Sequence, residues 1–217
     1  MAAAGNGTPR ERYRAQLRAE VKERAWEQIA ASGAAGLSLN AIAKQIGVSG
    51  PALYRYFASR DELITDLIRD AYRSLADTIR TAAASGADLA GLGHALREWA
   101  LADPQRYFLL YGTPVPGYHA PDDTTAIAAE IMTALLDAAR SPTDTAQDHA
   151  DARLEVHLAE HRHWAGGHPA PPAALRRALH FWTRLHGILS LELAGHFTGM
   201  GFDPAQLYTN ELHHLAQ

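Results

Sequence analysis

The amino-acid sequence predicts an all-α protein. Apolar residues recur at three- and four-residue spacing in one segment after another, which is the pattern of helices with one buried face. Glycine and proline clusters separate these segments, and serine or aspartate stands at several of the starts, as at a helix N-cap. The alternation of apolar and polar residues that marks a half-buried strand is found nowhere in the 217 residues.

Composition allows a sizeable core and excludes several classes of protein. Hydrophobic residues make up 47% of the chain, enough for one large or two small domains. No run of about eighteen apolar residues is present, which argues against a membrane span. Cysteine is absent, which excludes a disulfide scaffold, a thiolate zinc site and a thiol nucleophile. The first residues do not resemble a secretory signal, and we expect a cytoplasmic protein.

The first helix is predicted over Arg10–Ser32, after a short disordered tail at residues 1–9. Gly33 and Gly36 interrupt the helical pattern, and Ser38 is placed to cap the next helix. The apolar positions of the first helix repeat every four residues and are expected to form its apolar stripe. They are Tyr13, Leu17, Val21, Ala25 and Ile29.

Two short helices and a tight turn are predicted between Ser38 and Phe57. Gly47 stands where the first of them would end in a left-handed conformation, which glycine adopts without strain. Ser49 is placed to cap the second, with Pro51 in its first turn, where a missing N–H costs nothing. The expected buried residues of the pair are Ile42, Ala43, Ile46, Ala52, Leu53 and Phe57.

The outward side of the second short helix carries small, polar and aromatic residues: Gly50, Pro51, Tyr54, Arg55 and Tyr56. A helix, a glycine turn and a second helix with such an outward face form the helix-turn-helix arrangement that enters the DNA major groove. The first helix is expected to pack across both. This closes a three-helix DNA-binding head over residues 10–58.

A long helix is predicted from Ser59 to about Ala84. The four residues from Ser59 to Glu62 form a capping box at its start. A helix of this length would span about 37 Å. It would join the head stiffly to a larger helical body. Residues 59–217, which include this helix and the body, are expected to bind a ligand and to dimerise.

The formal net charge of −4 argues on its own against a nucleic-acid-binding protein, but the charges are unevenly distributed. Residues 1–63 hold nine Lys and Arg against six Asp and Glu, whereas residues 64–217 hold eleven against eighteen. A positive end can bind phosphates by counterion release while an acidic body keeps the protein soluble. The basic set is Arg10, Arg12, Arg14, Arg18, Lys22, Arg24, Lys44, Arg55 and Arg60.

Many residues in the first third of the chain match a family signature at fixed positions without gaps. They are Ala43, Gly47, Val48, Ser49, Leu53, Tyr54, Tyr56, Phe57, Ser59, Glu62 and Leu63. On these residues the chain resembles the TetR-type transcriptional regulators. The resemblance implies DNA contacts at Tyr54, Tyr56 and Arg60, where Arg60 replaces the commoner Lys and Tyr56 the commoner His.

Position along the motif predicts what the candidate DNA-binding residues do. Asn40 would reach a base edge, and Pro51 would offer an apolar contact, for example to a thymine methyl group. Lys44, Tyr54, Tyr56 and Arg60 would bind phosphates. An alternative for Tyr56 is packing against the first helix. The full set of candidates is Ser38, Asn40, Lys44, Ser49, Gly50, Pro51, Tyr54, Arg55, Tyr56 and Arg60.

Only helices are predicted in the body, with loops that are rich in proline or glycine between several of them. The predicted helices are Leu89–Leu101, Pro104 to about Gly112, Asp122–Arg140, Asp148–Ala165, Ala173–Phe197 and Asp203–Leu215. The predicted connections are Thr113–Pro121, Ser141–Gln147 and Gly166–Pro172.

The last two helices carry the candidate dimer interface, namely Gly187, Leu191, Ala194 and Gly195. Two glycines eight residues apart on one side of a helix would let another helix approach closely across a two-fold axis. Packing inside one subunit is the alternative. The TetR resemblance implies dimerisation through the last two long helices. Trp182, His186 and Gly187 also resemble the Trp-His-Gly pattern of one C-terminal domain class of that family.

Aromatic residues with a few polar groups are concentrated in the middle helices, which favours an apolar effector pocket. The alternative for any one of them is a plain core position. The candidate ligand-binding residues are Trp99, Tyr107, Tyr111, Trp164, Phe181, Trp182 and His186.

Histidine spacing suggests one candidate metal site, because His157 and His161 lie four residues apart on a predicted helix. A third ligand at a fixed spacing is missing from the sequence pattern, so a solvated helix face is the better interpretation. Motifs of a nucleophile, a phosphate loop or a catalytic triad are also missing, and we expect neither catalysis nor a cofactor.

Together these features predict a homodimeric repressor that a small-molecule effector releases from a palindromic operator. One alternative is a small-molecule- or metal-binding enzyme with a helical head. Another is a DNA-binding protein without an effector.

Overall fold

The computed structural model describes residues 8–115, 118, 121–140 and 149–216. Every regular element in these ranges is helical, which confirms the all-α prediction. Most of the predicted tail lies outside the described residues. The predicted connection Ser141–Gln147 lies wholly outside them. The α-helices in the described ranges are α1 (Pro9–Ser32), α2 (Leu39–Gln45), α3 (Gly50–Leu53), α4 (Arg60–Ala84), α5 (Leu89–Ala102), α6 (Pro104–Tyr111), α7 (Asp122–Ala138), α8 (His149–Glu160), α9 (Pro172–Leu193) and α10 (Pro204–Ala216).

The described residues fall into two compact units. The first comprises residues 8–69 and the described part of 113–120, and the second comprises 70–112 and the described residues from 121 onward. Tyr118 belongs to the first unit, where its hydroxyl lies 3.0 Å from Oγ1 of the buried Thr65. In the described part of the chain, helices long and apolar enough to cross a membrane are not found.

Helix α1 begins one residue earlier than the sequence pattern predicts, at Pro9. The Thr8 hydroxyl accepts a hydrogen bond from the Glu11 N–H at 3.3 Å, and the Glu11 carboxylate accepts one from the Thr8 N–H at 2.7 Å. This capping box satisfies two N–H groups that the helix start would leave unpaired. Residues 8 and 9 therefore belong to the start of α1 and not to a tail.

The apolar stripe of α1 forms the centre of the first unit's core. Its buried members, Leu17, Val21, Ala25 and Ile29, belong to the same unit as buried Leu39, Ile42, Ala43, Leu53, Phe57, Leu63, Ile64 and Leu67. Helix α1 packs against α2 and α2 against α3, as predicted for a three-helix head. Tyr13 is the exception in the predicted stripe. It is 60% exposed because the first turns of α1 border a surface cleft instead of the core.

Helix α4 is a continuous element of 25 residues, close to the predicted extent. Its N-terminal cap differs in one bond from the predicted capping box. The Ser59 hydroxyl accepts from the Glu62 N–H at 3.1 Å, but the Glu62 carboxylate accepts from the N–H of Ala58, one residue earlier, at 2.6 Å.

Two helices of the second unit end four or more residues earlier than the sequence pattern predicts. Helix α8 stops at Glu160, and Arg162–Ala165 forms a short 3-10 helix before the left-handed Gly166. Helix α9 stops at Leu193, four residues before the predicted Phe197.

The early end of α9 has a clear cause in the backbone. Gly195 has a φ of 77°, and the N–H of His196 donates to the carbonyl of Leu191 at 2.9 Å. The Gly195 N–H also donates to the carbonyl of Glu192 at 3.0 Å. This pair of bonds around a left-handed glycine is the Schellman motif that terminates helices. Gly195 therefore lies outside α9 and is required for the turn.

Two apolar clusters make up the core of the second unit. The larger contains buried residues of α4, α5, α6, α7, α9 and α10, including Leu75, Trp99, Tyr107, Phe181 and Tyr208. The smaller joins α7, α8 and α9 around Leu136, Leu158 and Leu175. Helices α9 and α10 also pack against each other.

Candidate nucleic-acid interface and ligand cavity

The turn between α2 and α3 has the geometry that the sequence predicts for a helix-turn-helix. Gly47 has a φ of 72°, and the N–H of Val48 donates to the carbonyl of Ala43 at 3.0 Å. Only glycine adopts this backbone conformation at little cost. The turn therefore fixes the angle at which α3 leaves α2.

The start of α3 is exposed and capped. The Ser49 hydroxyl accepts from the Ala52 N–H at 3.3 Å, while Pro51 and Tyr54 point to solvent, with Tyr54 44% exposed. Helix α3 is short, since it ends at Leu53 and a turn carries Tyr54, Arg55 and Tyr56. Phe57 and Leu53 are fully buried beneath it, as predicted, whereas Ala52 is half-buried.

Helix α2 places its candidate residues next to α3. The Ser38 hydroxyl caps α2 by accepting from the Ala41 N–H at 3.3 Å, and Asn40 and Lys44 are exposed. A Cβ atom added at Gly50 would lie 3.4 Å from the side-chain oxygen of Asn40. Asn40 and the first residue of α3 therefore share one surface.

Tyr56 is half-buried and has neighbours on α1. The Arg14 guanidinium lies 5.8 Å from the centre of the Tyr56 ring, and Arg18 donates to the Tyr56 carbonyl. The ring thus contacts a cation of α1, which agrees with the alternative that the sequence left open for this residue. Its phenol edge stays partly exposed.

Arg60 has a structural role in the head. Its guanidinium donates to the carbonyls of Ala34 at 2.7 Å, Ala35 at 3.2 Å and Leu37 at 3.2 Å. These carbonyls belong to the short 3-10 helix Ala34–Gly36 that follows α1 and to Leu37 directly after it. The sequence pattern does not reveal this contact, because the residues are more than twenty positions apart.

The structure divides the basic set of the head into two groups. Arg18 and Lys22 pair with Asp66, Arg24 pairs with Glu23 and Glu27, and Arg60 binds carbonyls. Among the described residues, ion pairs with an acidic side chain are not found for Arg10, Arg12, Arg14, Lys44 and Arg55. These five cations are available to phosphates.

A polar network connects α6 to α9 in the second unit. The Tyr107 hydroxyl lies 2.8 Å from Oγ of Ser190, 3.0 Å from Nδ1 of His186 and 3.2 Å from the His186 carbonyl. Tyr111 and Trp182 also contact the imidazole, with ring centres 4.3 and 4.2 Å away. Burial lowers the pKa of His186 to about 4 and raises that of Tyr107. The imidazole is therefore neutral at pH 7.

Beside this network is a cavity of about 250 Å³. Three predicted ligand-binding residues line it: Tyr111, Trp164 and Trp182. The rest of its wall was not predicted from the sequence. It consists of Tyr72 on α4 and of small or aliphatic residues on α7, which are ordinary on a helix face: Thr125, Ala128, Ala129, Ile131 and Met132.

Two buried polar atoms at this end of the unit have no hydrogen-bond partner among the described residues: the Tyr111 hydroxyl and Nε2 of His186. Burial raises the pKa of Tyr111 well above its usual value, so its hydroxyl keeps its proton. An unpaired buried polar atom costs free energy that a bound partner would restore.

Two other predicted ligand-binding residues are core positions. Phe181 is 1% exposed in the larger cluster. Trp99 is 8% exposed and donates from Nε1 to the Ser74 hydroxyl at 3.1 Å. Tyr107 is also fully buried, with its ring centre 5.4 Å from that of Tyr111, and neither Tyr107 nor His186 is among the residues that line the cavity.

The predicted dimer residues are exposed in the single chain. Gly187 lies on α9 with open space where a Cβ would be, and Leu191 is 45% exposed one turn further on. Ala194 and Gly195 are exposed at the end of α9. Three large apolar side chains of the following turn and α10 are exposed as well, namely Met200, Phe202 and Leu207.

His157 and His161 stack on each other, with ring centres 4.3 Å apart, and His161 Nδ1 lies 2.9 Å from the His157 carbonyl. Clusters of three or more His, Asp or Glu side chains that could hold a metal ion are not found in the described ranges.

Comparison with family models gives two matches that together span most of the chain. Residues 23–67 match the model of bacterial regulatory proteins of the tetR family. Residues 89–215 match the model of the tetracyclin repressor-like C-terminal domain. The first match includes the whole helix-turn-helix. The second includes the exposed face of α9 and α10 and every residue that lines the cavity except Tyr72.

Individual proteins are similar over nearly the full length. The HTH-type transcriptional regulator Rv1816 of Mycobacterium tuberculosis (strain ATCC 25618 / H37Rv) is 38% identical over 211 residues, or 90% of this chain and 88% of the relative. The crystal structure of SCO4313, a protein assigned a regulatory role, has a TM-score of 0.87 and 67% identity and covers 96% of this chain and 98% of its own. A protein of unknown function from Rhodococcus sp. RHA1 shares the fold, with a TM-score of 0.64 at 23% identity over the full length of both chains.

Proposed function

Because the chain belongs to the TetR family of bacterial transcriptional regulators, we propose that it is a homodimeric repressor that a small molecule releases from a palindromic operator. The observation that carries the proposal is the exposed start of α3. There Ser49 caps the helix, Pro51 and Tyr54 face outward, and the cation of Arg55 has no acidic partner among the described residues.

On DNA, α3 enters the major groove with Gly50 and Pro51 against base edges, and Asn40 reaches the same groove from α2. Lys44, Tyr54 and Arg55 bind phosphates on either side. The hydroxyls of Ser38 and Ser49 already accept backbone hydrogen bonds, and each still has its own proton to donate to a phosphate. Tyr56 adds its partly exposed phenol, and Arg60 supports the turn after α1.

The dimer forms through the exposed face of α9 and α10. Gly187, Leu191 and Ala194 supply a strip of small and apolar residues on α9, and the exposed Phe202 and Leu207 continue it. Exposed apolar side chains concentrated on one face are typical of a protein–protein interface. A two-fold pair of heads then reads two half-sites about 34–36 Å apart.

The effector binds in the cavity between Tyr72, Tyr111, Trp164 and Trp182. These aromatic faces stack on a planar or alicyclic molecule. One hydrogen-bonding group of the effector meets the Tyr111 hydroxyl, which lacks a partner among the described residues. His186 stays neutral behind Tyr111 and Trp182 and holds both rings in place.

Effector binding reaches the head through α4. This single helix carries Tyr72 of the cavity wall and, twelve residues earlier, Arg60 with its contacts to the turn after α1. A ligand that displaces Tyr72 therefore acts on a helix whose first residues belong to the head. It changes DNA affinity only to the extent that it binds one arrangement of α4 more tightly than the other.

Two alternatives predict different measurements. An enzyme with a helical head would bind a metal or turn over a substrate, and a His157→Ala/His161→Ala variant would lose that activity. A DNA-binding protein without an effector would show the same DNA affinity whatever small molecules are added. The cavity and its unpaired Tyr111 hydroxyl favour effector control over the second alternative.

A genomic selection tests the proposal. Fragments retained by the purified protein are sequenced, and the enriched duplex is used in a mobility-shift titration with wild-type protein and Tyr54→Ala. We expect a palindromic motif bound by a dimer, with affinity lost in the variant. Arg153→Ala, on the exposed surface of α8, serves as the matched control and should bind like wild type.

A further inference from the structure

A second basic surface lies beside α3, on the first turns of α1. A cleft of about 370 Å³ opens there. One part of its wall comes from α1, and the other comes from α3 and the turn after it, residues 50–56, which we call the α3 segment. The lining residues are Arg10, Tyr13, Arg14, Ala52, Arg55 and Tyr56. All of them belong to the first compact unit.

Three arginines meet in this cleft without a neutralising carboxylate among the residues that line it. Glu11, the nearest acidic residue in sequence, is held at the start of α1 by its hydrogen bonds to Thr8. Like charges gathered on one surface repel one another unless an anion binds between them. The electrostatics of the cleft therefore favour an anionic partner.

The cleft is also ordered by contacts between its own residues. The Arg14 guanidinium lies over the Tyr56 ring, 5.8 Å from its centre, which holds the α1 side chain against the end of the α3 segment. Tyr13 exposes 60% of its surface at the same place, and its hydroxyl is a hydrogen-bond donor. Guanidinium forks and phenol hydroxyls are the groups that bind phosphate oxygens.

We propose that this cleft binds a phosphate of the DNA backbone next to the groove that α3 enters. Arg10 and Arg14 approach the phosphate from α1, and Arg55 approaches it from the α3 segment. The inference rests on the proposed DNA-binding function and extends its surface. Residues 10–14 precede residue 23, where the match to the DNA-binding family model begins.

The first test compares two variants that remove the same charge. Arg10→Gln/Arg14→Gln empties the α1 side of the cleft. Arg140→Gln/Arg153→Gln removes two exposed cations of the second unit, one just after α7 and one on α8. The affinity of each variant for the selected operator duplex is measured by fluorescence anisotropy across a range of salt concentrations.

We expect the slope of log affinity against log salt to fall by up to about one for each bound head in Arg10→Gln/Arg14→Gln, because the two arginines bind a single phosphate. The control pair should keep nearly the wild-type slope. Equal losses in both pairs would overturn the proposal, because net charge alone would then explain them. Circular-dichroism melting checks folding. Arg10→Gln alone, with a smaller loss of slope than the pair, carries the test if the Arg14 change destabilises the head.

The second test distinguishes a backbone phosphate from a free anion. Duplexes are made with one neutral methylphosphonate at successive backbone positions beside the half-site. At one position the neutral linkage should weaken binding of the wild type but leave Arg10→Gln/Arg14→Gln unaffected. If no position shows this coupling, the proposal is wrong. If inorganic phosphate then raises the melting temperature of the wild type but not that of Arg10→Gln/Arg14→Gln, the cleft binds a free anion instead.

The outcomes separate this inference from the proposed function. A wild-type protein that binds no duplex overturns both. A wild-type protein that binds its operator with a salt slope that Arg10→Gln/Arg14→Gln leaves unchanged overturns the phosphate cleft alone.

Discussion

The hydroxyl of Tyr107 on α6 lies 3.0 Å from Nδ1 of His186 on α9. The same hydroxyl reaches Ser190, so one buried side chain joins two successive turns of α9. On the next positions of α9 are Gly187 and Leu191, which are exposed. The network beside the cavity and the proposed dimer face therefore occupy neighbouring positions of a single helix.

Tyr107→Phe is expected to lower the free energy of unfolding by about 1–3 kcal/mol, because the buried polar atoms of His186 and Ser190 lose a partner. Urea denaturation measures the loss. Tyr111→Phe is the matched control, since the hydroxyl it removes has no hydrogen-bond partner among the described residues. The control should be as stable as wild type without effector. A comparable loss in both variants would contradict the assigned network.

His186 predicts a dependence of stability on pH. Burial lowers its pKa from 6.5 to about 4, so the unfolded chain binds a proton that the folded chain does not bind between these values. The contribution of neutral His186 to the free energy of unfolding is complete above pH 6.5. It is lost as the pH falls towards 4, and the loss is no more than about 3 kcal/mol. His186→Phe should flatten this part of the stability curve, whereas the exposed His196→Gln should leave it unchanged. Equal pH slopes in wild type and His186→Phe would contradict the assignment.

The two glycines that the sequence predicts at the dimer interface, Gly187 and Gly195, should respond in opposite ways to alanine. Gly187→Ala adds a methyl group in open space within a helix, so it should stabilise the isolated subunit by about 0.5–1 kcal/mol. The same methyl group should weaken the dimer if a partner helix packs there. Gly195→Ala should destabilise the subunit by about 1–2 kcal/mol, because its φ is 77°. Sedimentation and urea denaturation separate these effects, and unchanged dimerisation of Gly187→Ala would remove Gly187 from the interface.

Arg60 and Lys44 should differ although both are basic and close to the motif. Arg60→Gln removes hydrogen bonds to the turn after α1 and should lower the stability of the protein by about 1–3 kcal/mol as well as its DNA affinity. Lys44→Gln should lower only DNA affinity, because Lys44 is exposed and has no acidic partner among the described residues. Thermal melting and anisotropy on the same samples measure both. A stable Arg60→Gln variant with weak DNA binding would instead assign Arg60 a direct phosphate contact.

Local sequence signals predicted the head well because its structure is determined by local chemistry. Gly47 needs its left-handed backbone, Ser38 and Ser49 cap their helices, and the four-residue repeat from Leu17 to Ile29 faces the core. The contacts of Arg60 could not be predicted in this way, since their partners are distant in sequence and are backbone carbonyls.

The cavity shows the same limit more clearly. Composition predicts an aromatic pocket, but the three-dimensional packing decides that Trp164 and Trp182 line it while Phe181 fills the core. Gly195 was predicted to allow helix packing, but its positive φ ends α9 instead. The sequence could not show this, because a glycine within a helical pattern does not reveal the sign of its φ. Both differences depend on tertiary context that periodicity does not contain.

The central claim is that two copies of the chain bind one palindromic duplex through α3. The most direct test is analytical ultracentrifugation of the protein with the duplex recovered by genomic selection, run beside Tyr54→Ala and Arg153→Ala. The proposed function predicts a complex of one duplex with two chains for wild type and Arg153→Ala, and free duplex for Tyr54→Ala. A wild-type protein that sediments as a monomer and leaves every selected duplex unbound would contradict it.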